Sequence, residues 1–146
     1  MRLIIDTSSI LKTCLYAGKD PEALKVRDSE DPSITTMVNT AEYGYENAVN
    51  SLVAAIKRHK TKPRKCIFVM DGYNSNQFRR RMLTAGCGIT YKEKDGIRVP
   101  EKDQQFQRLL QMIKTAFQDV GAVFVERDGM EADDLIAFIA KESDED

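Results

Sequence analysis

Ala122-Val123-Phe124-Val125-Glu126-Arg127-Asp128-Gly129-Met130-Glu131-Ala132-Asp133-Asp134-Leu135-Ile136 passes from one apolar run, through a glycine, into a second apolar pattern. The run 122–125 is too short for a helix and continuous enough for a strand buried on both faces. Leu135, Ile136, Phe138 and Ile139 recur at helical spacing. Between the two, Glu131, Asp133 and Asp134 place three carboxylates within four residues, where a helix begins just after a strand. Carboxylates crowded there repel one another, and a divalent cation between them is the common remedy. Acids at a helix start also suit the helix dipole. The cluster alone therefore does not decide between a metal site and a helix end.

Working outward, two other apolar runs end the same way. Arg2-Leu3-Ile4-Ile5 leads into Asp6, and Cys66-Ile67-Phe68-Val69-Met70 leads into Asp71. Tyr45, Ala48, Val49, Leu52, Val53 and Ile56 predict a helix over 42–59, which Lys62-Pro63 ends. Phe106, Leu109, Leu110, Ile113, Ala116, Phe117 and Val120 predict another, which Gly121 stops. Ser8 and Ser9 read as caps of a first helix. Residues 17–40 read as loop, with a short extended piece at 34–38, and 72–100 shows no sustained apolar period. Alternating strands and helices with continuous apolar strands predict an α/β domain whose parallel sheet is covered on both faces. The strands of such a sheet all point their carboxyl ends one way, and ligands bind in the crevice there. Asp6, Asp71, Glu131, Asp133 and Asp134 would then converge from three separate segments on one sheet edge.

Composition narrows the chemistry. At 146 residues the chain is one domain. It has neither an apolar run long enough to span a membrane nor the pattern of a signal peptide. Cys14, Cys66 and Cys87 lack metal-ligand spacing and read as reduced thiols of a cytoplasmic protein, or of the host cytoplasm if the gene is a phage's. His59 is the only histidine and reads as a surface residue, which disfavours a histidine-built zinc site or a Ser-His-Asp triad. The net charge of −1 hides a division, because residues 57–102 hold 13 of the 22 Lys and Arg but 4 of the 23 Asp and Glu. A basic side beside an acidic one suits a polyanion held next to a cation site. An all-oxygen set suits Mg²⁺ or Mn²⁺. Five carboxylates suffice for two such ions roughly 4 Å apart, an arrangement that serves in-line displacement at phosphorus.

At this point the residues resemble a known family. Gly129-Met130-Glu131-Ala132-Asp133-Asp134-Leu135-Ile136-Ala137 is similar to the Gly-x-Glu-Ala-Asp-Asp motif of the 5′-nuclease superfamily. That superfamily includes flap endonucleases, the 5′-nuclease domain of bacterial DNA polymerase I and bacteriophage 5′–3′ exonucleases. Leu3-Ile4-Ile5-Asp6 and Ile67-Phe68-Val69-Met70-Asp71-Gly72 resemble its first and second strands with their metal-binding aspartates, and Phe78-Arg79 and Tyr91-Lys92 resemble pairs on its helical arch. The resemblance implies a PIN-like, resolvase-like three-layer fold over 1–146, with an arch at about 72–100 that admits a free 5′ strand. It implies two Mg²⁺ or Mn²⁺ ions on Asp6, Asp71, Glu131, Asp133 and Asp134. Lys92 and Arg79 would contact the scissile phosphate, with Arg80, Arg81, Lys94 and Arg98 as further DNA contacts. The implied substrate is DNA with a 5′ end or 5′ flap.

Two departures stand out. The interval between the Phe-Arg and Tyr-Lys pairs is longer than usual, and Glu93-Lys94 replaces the arginine expected soon after Tyr-Lys. Family members also continue with a further strand ending in paired aspartates and a helix–turn–helix-like duplex grip. Their absence from this sequence suggests either half of a divided nuclease, completed by a second polypeptide, or a fragment. A PIN-type single-strand ribonuclease and a non-catalytic DNA-binding subunit are the alternative readings.

Overall fold

The three apolar runs become the strands of one sheet. The computed structural model describes residues 2–75, 77–87 and 99–144. In chain order its elements are β1 (Leu3–Asp6), α1 (Thr7–Tyr16), β2 (Leu24–Arg27), β3 (Thr35–Val38), α2 (Ala41–Arg58), β4 (Cys66–Val69), α3 (Gln77–Cys87), α4 (Pro100–Gln118), β5 (Val123–Val125) and α5 (Ala132–Asp144). The sheet order is β1-β4-β5, and both pairings are parallel, with Asp6 opposite Val69 and Val69 opposite Val125. All three strands therefore end level, at one edge.

Alternation along the strands turns Ile5, Cys66 and Phe68 to one face, where they meet Leu11, Leu15, Leu52, Leu109 and Ile113 from α1, α2 and α4 in the buried core. Phe68 lies at its centre, with ring centroids 5.1 Å from Phe117 and 4.7 Å from Phe124. The amide of Ala41, at the start of α2, donates to the Gln105 side chain on α4 at 2.9 Å, and Glu42 pairs with Arg108. Two helices thus lock end to side. Gly121, at φ +91°, lets the chain reverse after α4. The Ala122 amide then donates back to the Phe117 carbonyl at 3.0 Å, closing the helix as a left-handed cap residue allows.

The two faces of the sheet are covered unequally. α5 lies against β1 and β4 without joining the core cluster. Val123 points away from the Phe124 side and is 51% exposed, and Phe138 of α5 is 52% exposed. Among the described residues, the second face is only partly covered.

Three local differences have physical causes. Residues 17–40 contain a hairpin, β2 paired antiparallel with β3, whose strands are mostly exposed. Leu24-Lys25-Val26-Arg27 does alternate apolar with charged residues, but over four residues only, too short a run to stand out in the sequence. Asp20 anchors the hairpin, accepting from the Thr40 hydroxyl at 2.7 Å, the Thr40 amide at 2.8 Å and the Glu22 amide at 2.8 Å. The Thr40 hydroxyl first, and then these amides, hold its carboxyl below the usual range. Gln77–Cys87 is helical on the propensity of Gln, Arg, Met, Leu and Ala rather than on an apolar stripe. Finally, α4 starts at Pro100 instead of near 106, because its first turn is built from proline and the acids Glu101 and Asp103.

Candidate functional site

Where the strands end level, each carboxylate is fixed by backbone that follows its strand. Asp6 closes β1 and is also the N-cap of α1, its Oδ1 accepting from the Ser9 amide at 3.3 Å. The expectation that Ser8 or Ser9 caps this helix is therefore overturned, since an aspartate at the N-cap reaches the third amide on its own. Ser8 is buried instead, and its hydroxyl accepts from the Asp71 amide at 3.0 Å. This bond ties the end of β4 to the start of α1.

Past β4 the chain runs beside the loop that follows β5. The Met70 amide donates to the Val125 carbonyl at 2.9 Å, the Gly72 amide to Met130 at 3.0 Å, and the Gly129 amide to Tyr73 at 2.6 Å. The approach is so close that a Cβ on Gly72 would lie 1.9 Å from the Arg127 carbonyl oxygen. No other residue fits there without moving one of the two strands of backbone. Asp71 is thereby set against the start of α5, where its Oδ1 accepts from the Ala132 amide at 2.7 Å. Two of the aspartates thus satisfy helix N-termini, positions that favour an anion.

Asp6, Ser9, Lys12, Asp71, Glu131 and Asp133 line a cleft of about 200 Å³. Glu131 is 8% exposed, an unusual degree of burial for a glutamate. The Asp133 carboxyl lies within hydrogen-bonding reach of Asp6. Burial first, and then the charges of Asp133 and Asp71, push the Asp6 carboxyl above its ordinary range; the Ser9 amide opposes them. Asp134 is half-buried on the first turn of α5 and is not among the residues lining the cleft. One residue further along a helix turns a side chain by about 100°, which separates it from Asp133.

Two carboxylates in contact need a proton or a cation between them. The oxygen-only donor set therefore fits a hard divalent ion. Among the described residues, no group of three or more His, Cys, Asp or Glu side chains is placed to hold a metal ion together. Mg²⁺ does not require such a group, since it is usually held by one or two carboxylates, with waters and substrate oxygens filling its shell. A larger cleft of about 570 Å³ opens beside α2 and α4, but Arg108 is its only charged lining group and is already paired with Glu42.

The basic residues are less completely placed. Arg80 is half-buried and Arg81 exposed on α3. The side chain of Arg79, and Lys92, Lys94 and Arg98 altogether, lie outside the described residues. His59 is exposed at the C-terminus of α2. Lys12 and Ser9 are cleft residues that the strand-end reasoning does not find. The signal for them is present in the sequence, because positions 6, 9 and 12 fall on one side of a helix that begins at residue 7.

No helix among the described residues is long and apolar enough to cross a membrane. No curated protein and no solved structure matches the chain. The family model described as 5′–3′ exonuclease, N-terminal resolvase-like domain matches residues 1–146. With the match spanning the whole sequence, and with strand-end carboxylates gathered on one edge of a parallel sheet, the chain belongs to the family of 5′–3′ exonuclease N-terminal resolvase-like domains.

Proposed function

We propose that this chain is the catalytic module of a structure-specific 5′-nuclease that hydrolyses DNA phosphodiesters with two Mg²⁺ or Mn²⁺ ions. The observation that carries the reading is the single cleft shared by Asp6, Asp71, Glu131 and Asp133, contributed from the ends of three strands. When bound, the ions supply Lewis-acid charge to the attacking and leaving oxygens at phosphorus. The chain's own part is to hold carboxylates without rearrangement. Asp6 and Asp71 each use one oxygen on a helix N-terminus and keep the other for an ion. Buried Glu131 and the first turn of α5 set the far wall. Asp134 stands behind that wall as a further ligand, reached through water. Arg80 and Arg81 on α3, with Arg79, Lys92, Lys94 and Arg98, neutralise phosphates beside the scissile one, and Lys92 or Arg79 orients it.

The module works with a second polypeptide that covers the open sheet face and adds carboxylates and a duplex grip. The exposure of Val123 on β5 supports this reading, because an apolar side chain left open on a sheet face is available to a partner. The test is cleavage of 5′-flap DNA in Mn²⁺ by the chain alone and with its complement. Weak cleavage alone, restored by the complement and abolished by Asp71→Asn, is the expected result. Cleavage of single-stranded RNA without action on flap DNA would assign the site to ribonuclease chemistry. Activity of the complex indifferent to both Asp71→Asn and Asp133→Asn would reduce this chain to a scaffold.

A further inference from the structure

Among the described residues that line the cleft, Lys12 is the only cation, and its position is specific. Its Nζ lies 3.6 Å from Asp71 Oδ2 and its side chain is 52% exposed. That separation is longer than the roughly 2.7–2.9 Å of a direct charge-assisted hydrogen bond. The other Asp71 oxygen is committed at 2.7 Å to the Ala132 amide, so Oδ2 is the coordination position the aspartate can offer. On its far side the Lys12 ammonium stands 5.6 Å from the centroid of the Phe106 ring on α4, within cation–π range. The backbone that carries it is anchored, because the neighbouring Leu11 is fully buried and Asp6 caps the helix below it.

We propose that Lys12 is a resident counter-cation of the cleft that gives way to a divalent ion. It neutralises Asp71 in the metal-free chain, yields Oδ2 when an ion arrives, and is then presented by the Phe106 ring to a substrate phosphate. The inference rests on the reading of the cleft as a divalent-ion site. A half-exposed, loosely spaced pair is cheap to break. An ammonium and a divalent ion on the same oxygen repel, so both do not remain there. The ring supplies a second resting place on the same edge, which keeps the displaced ammonium from being lost to solvent. A lysine serving only to brace α1 against β4 would need neither the ring nor the open oxygen.

The test uses the whole chain, with Mn²⁺ affinity read from the electron paramagnetic resonance of the free ion. Lys12→Met tightens Mn²⁺ binding about two- to fivefold, the range of a partly exposed ion pair, while Lys12→Arg leaves it near the wild-type value. The same Lys12→Met chain binds a phosphorothioate, 5′-phosphorylated oligonucleotide more weakly than wild type in Mn²⁺, and equally well in EDTA. Phe106→Leu, which keeps the charge and removes the ring, weakens the oligonucleotide in Mn²⁺ and leaves Mn²⁺ affinity unchanged. Circular dichroism establishes that each variant is folded. Mn²⁺ binding unchanged or weakened by Lys12→Met in a folded chain would overturn the proposal. So would an oligonucleotide deficit of equal size in EDTA. A wild-type chain that binds no Mn²⁺ sinks the metal reading itself, a separate and recognisable failure.

Discussion

Asp6 illustrates how one residue serves two ends that conflict. As an N-cap it should be charged, and the Ser9 amide favours that state, but burial and the Asp133 and Asp71 carboxylates outweigh the amide. Its folded-state pKa is therefore raised above the ordinary value of 3.8. The sign follows from proton linkage: the stability associated with this group is complete below the ordinary value and is lost as pH rises through the raised one. Thermal melts of the metal-free chain should show that decline on going from acid towards neutrality. Asp133→Asn, by removing a neighbouring charge, should flatten it and raise the neutral-pH melting temperature while abolishing Mn²⁺-dependent cleavage. Gly72 carries the opposite lesson, since it has no side chain and yet sets the site. Gly72→Ala puts a methyl group against the Arg127 carbonyl and should cost about 1–3 kcal/mol, as overpacking does. Urea denaturation measures that loss, and Mn²⁺ affinity should fall with it, because Asp71 and Glu131 are registered by the same pairing of loops.

At the level of elements, what could be read in the sequence follows the strength of the apolar signal. Each strand of the parallel sheet and the helices α2, α4 and α5 carry an apolar run or stripe, and each was legible. The hairpin was half legible, since Thr35–Val38 falls within the expected extended piece while the alternation of Leu24–Arg27 spans only four mostly exposed residues. α3 was hidden because Gln77–Cys87 sets three consecutive arginines among scattered apolar residues, so no sustained apolar period marks it in the sequence. In the cleft, the carboxylates were legible because a strand's last residue is easy to identify. Ser8, Lys12 and Gly72 were not, since their roles depend on segments far apart in sequence meeting in the fold. α3 also yields a test. Replacing Arg80 and Arg81 together by Gln should weaken DNA binding to all sequences alike and reduce the magnitude of the salt slope by about 1 for each phosphate that is no longer neutralised. An unchanged slope would remove this helix from the DNA interface.

Across the whole molecule, one sheet face is closed by three helices and the other stays partly open. Val123→Asp separates the two consequences of that asymmetry. At an exposed position it should change the stability of the chain by no more than about 0.5 kcal/mol, while weakening association with a complementary polypeptide measured by calorimetry. A large loss of stability in the chain alone would mean that the face is already covered. The sheet order β1-β4-β5 has a consequence in time as well as in space. The middle strand is the second to be made, and Leu3 must wait for Cys66 before it has a neighbour. A ribosome making this segment therefore exposes an unpaired first strand until Cys66–Val69 have followed it. Asp6 meets Asp71 once β4 joins the sheet, and Glu131 and Asp133 complete the cleft only after β5 has followed, so half of the carboxylate set is assembled well before the rest.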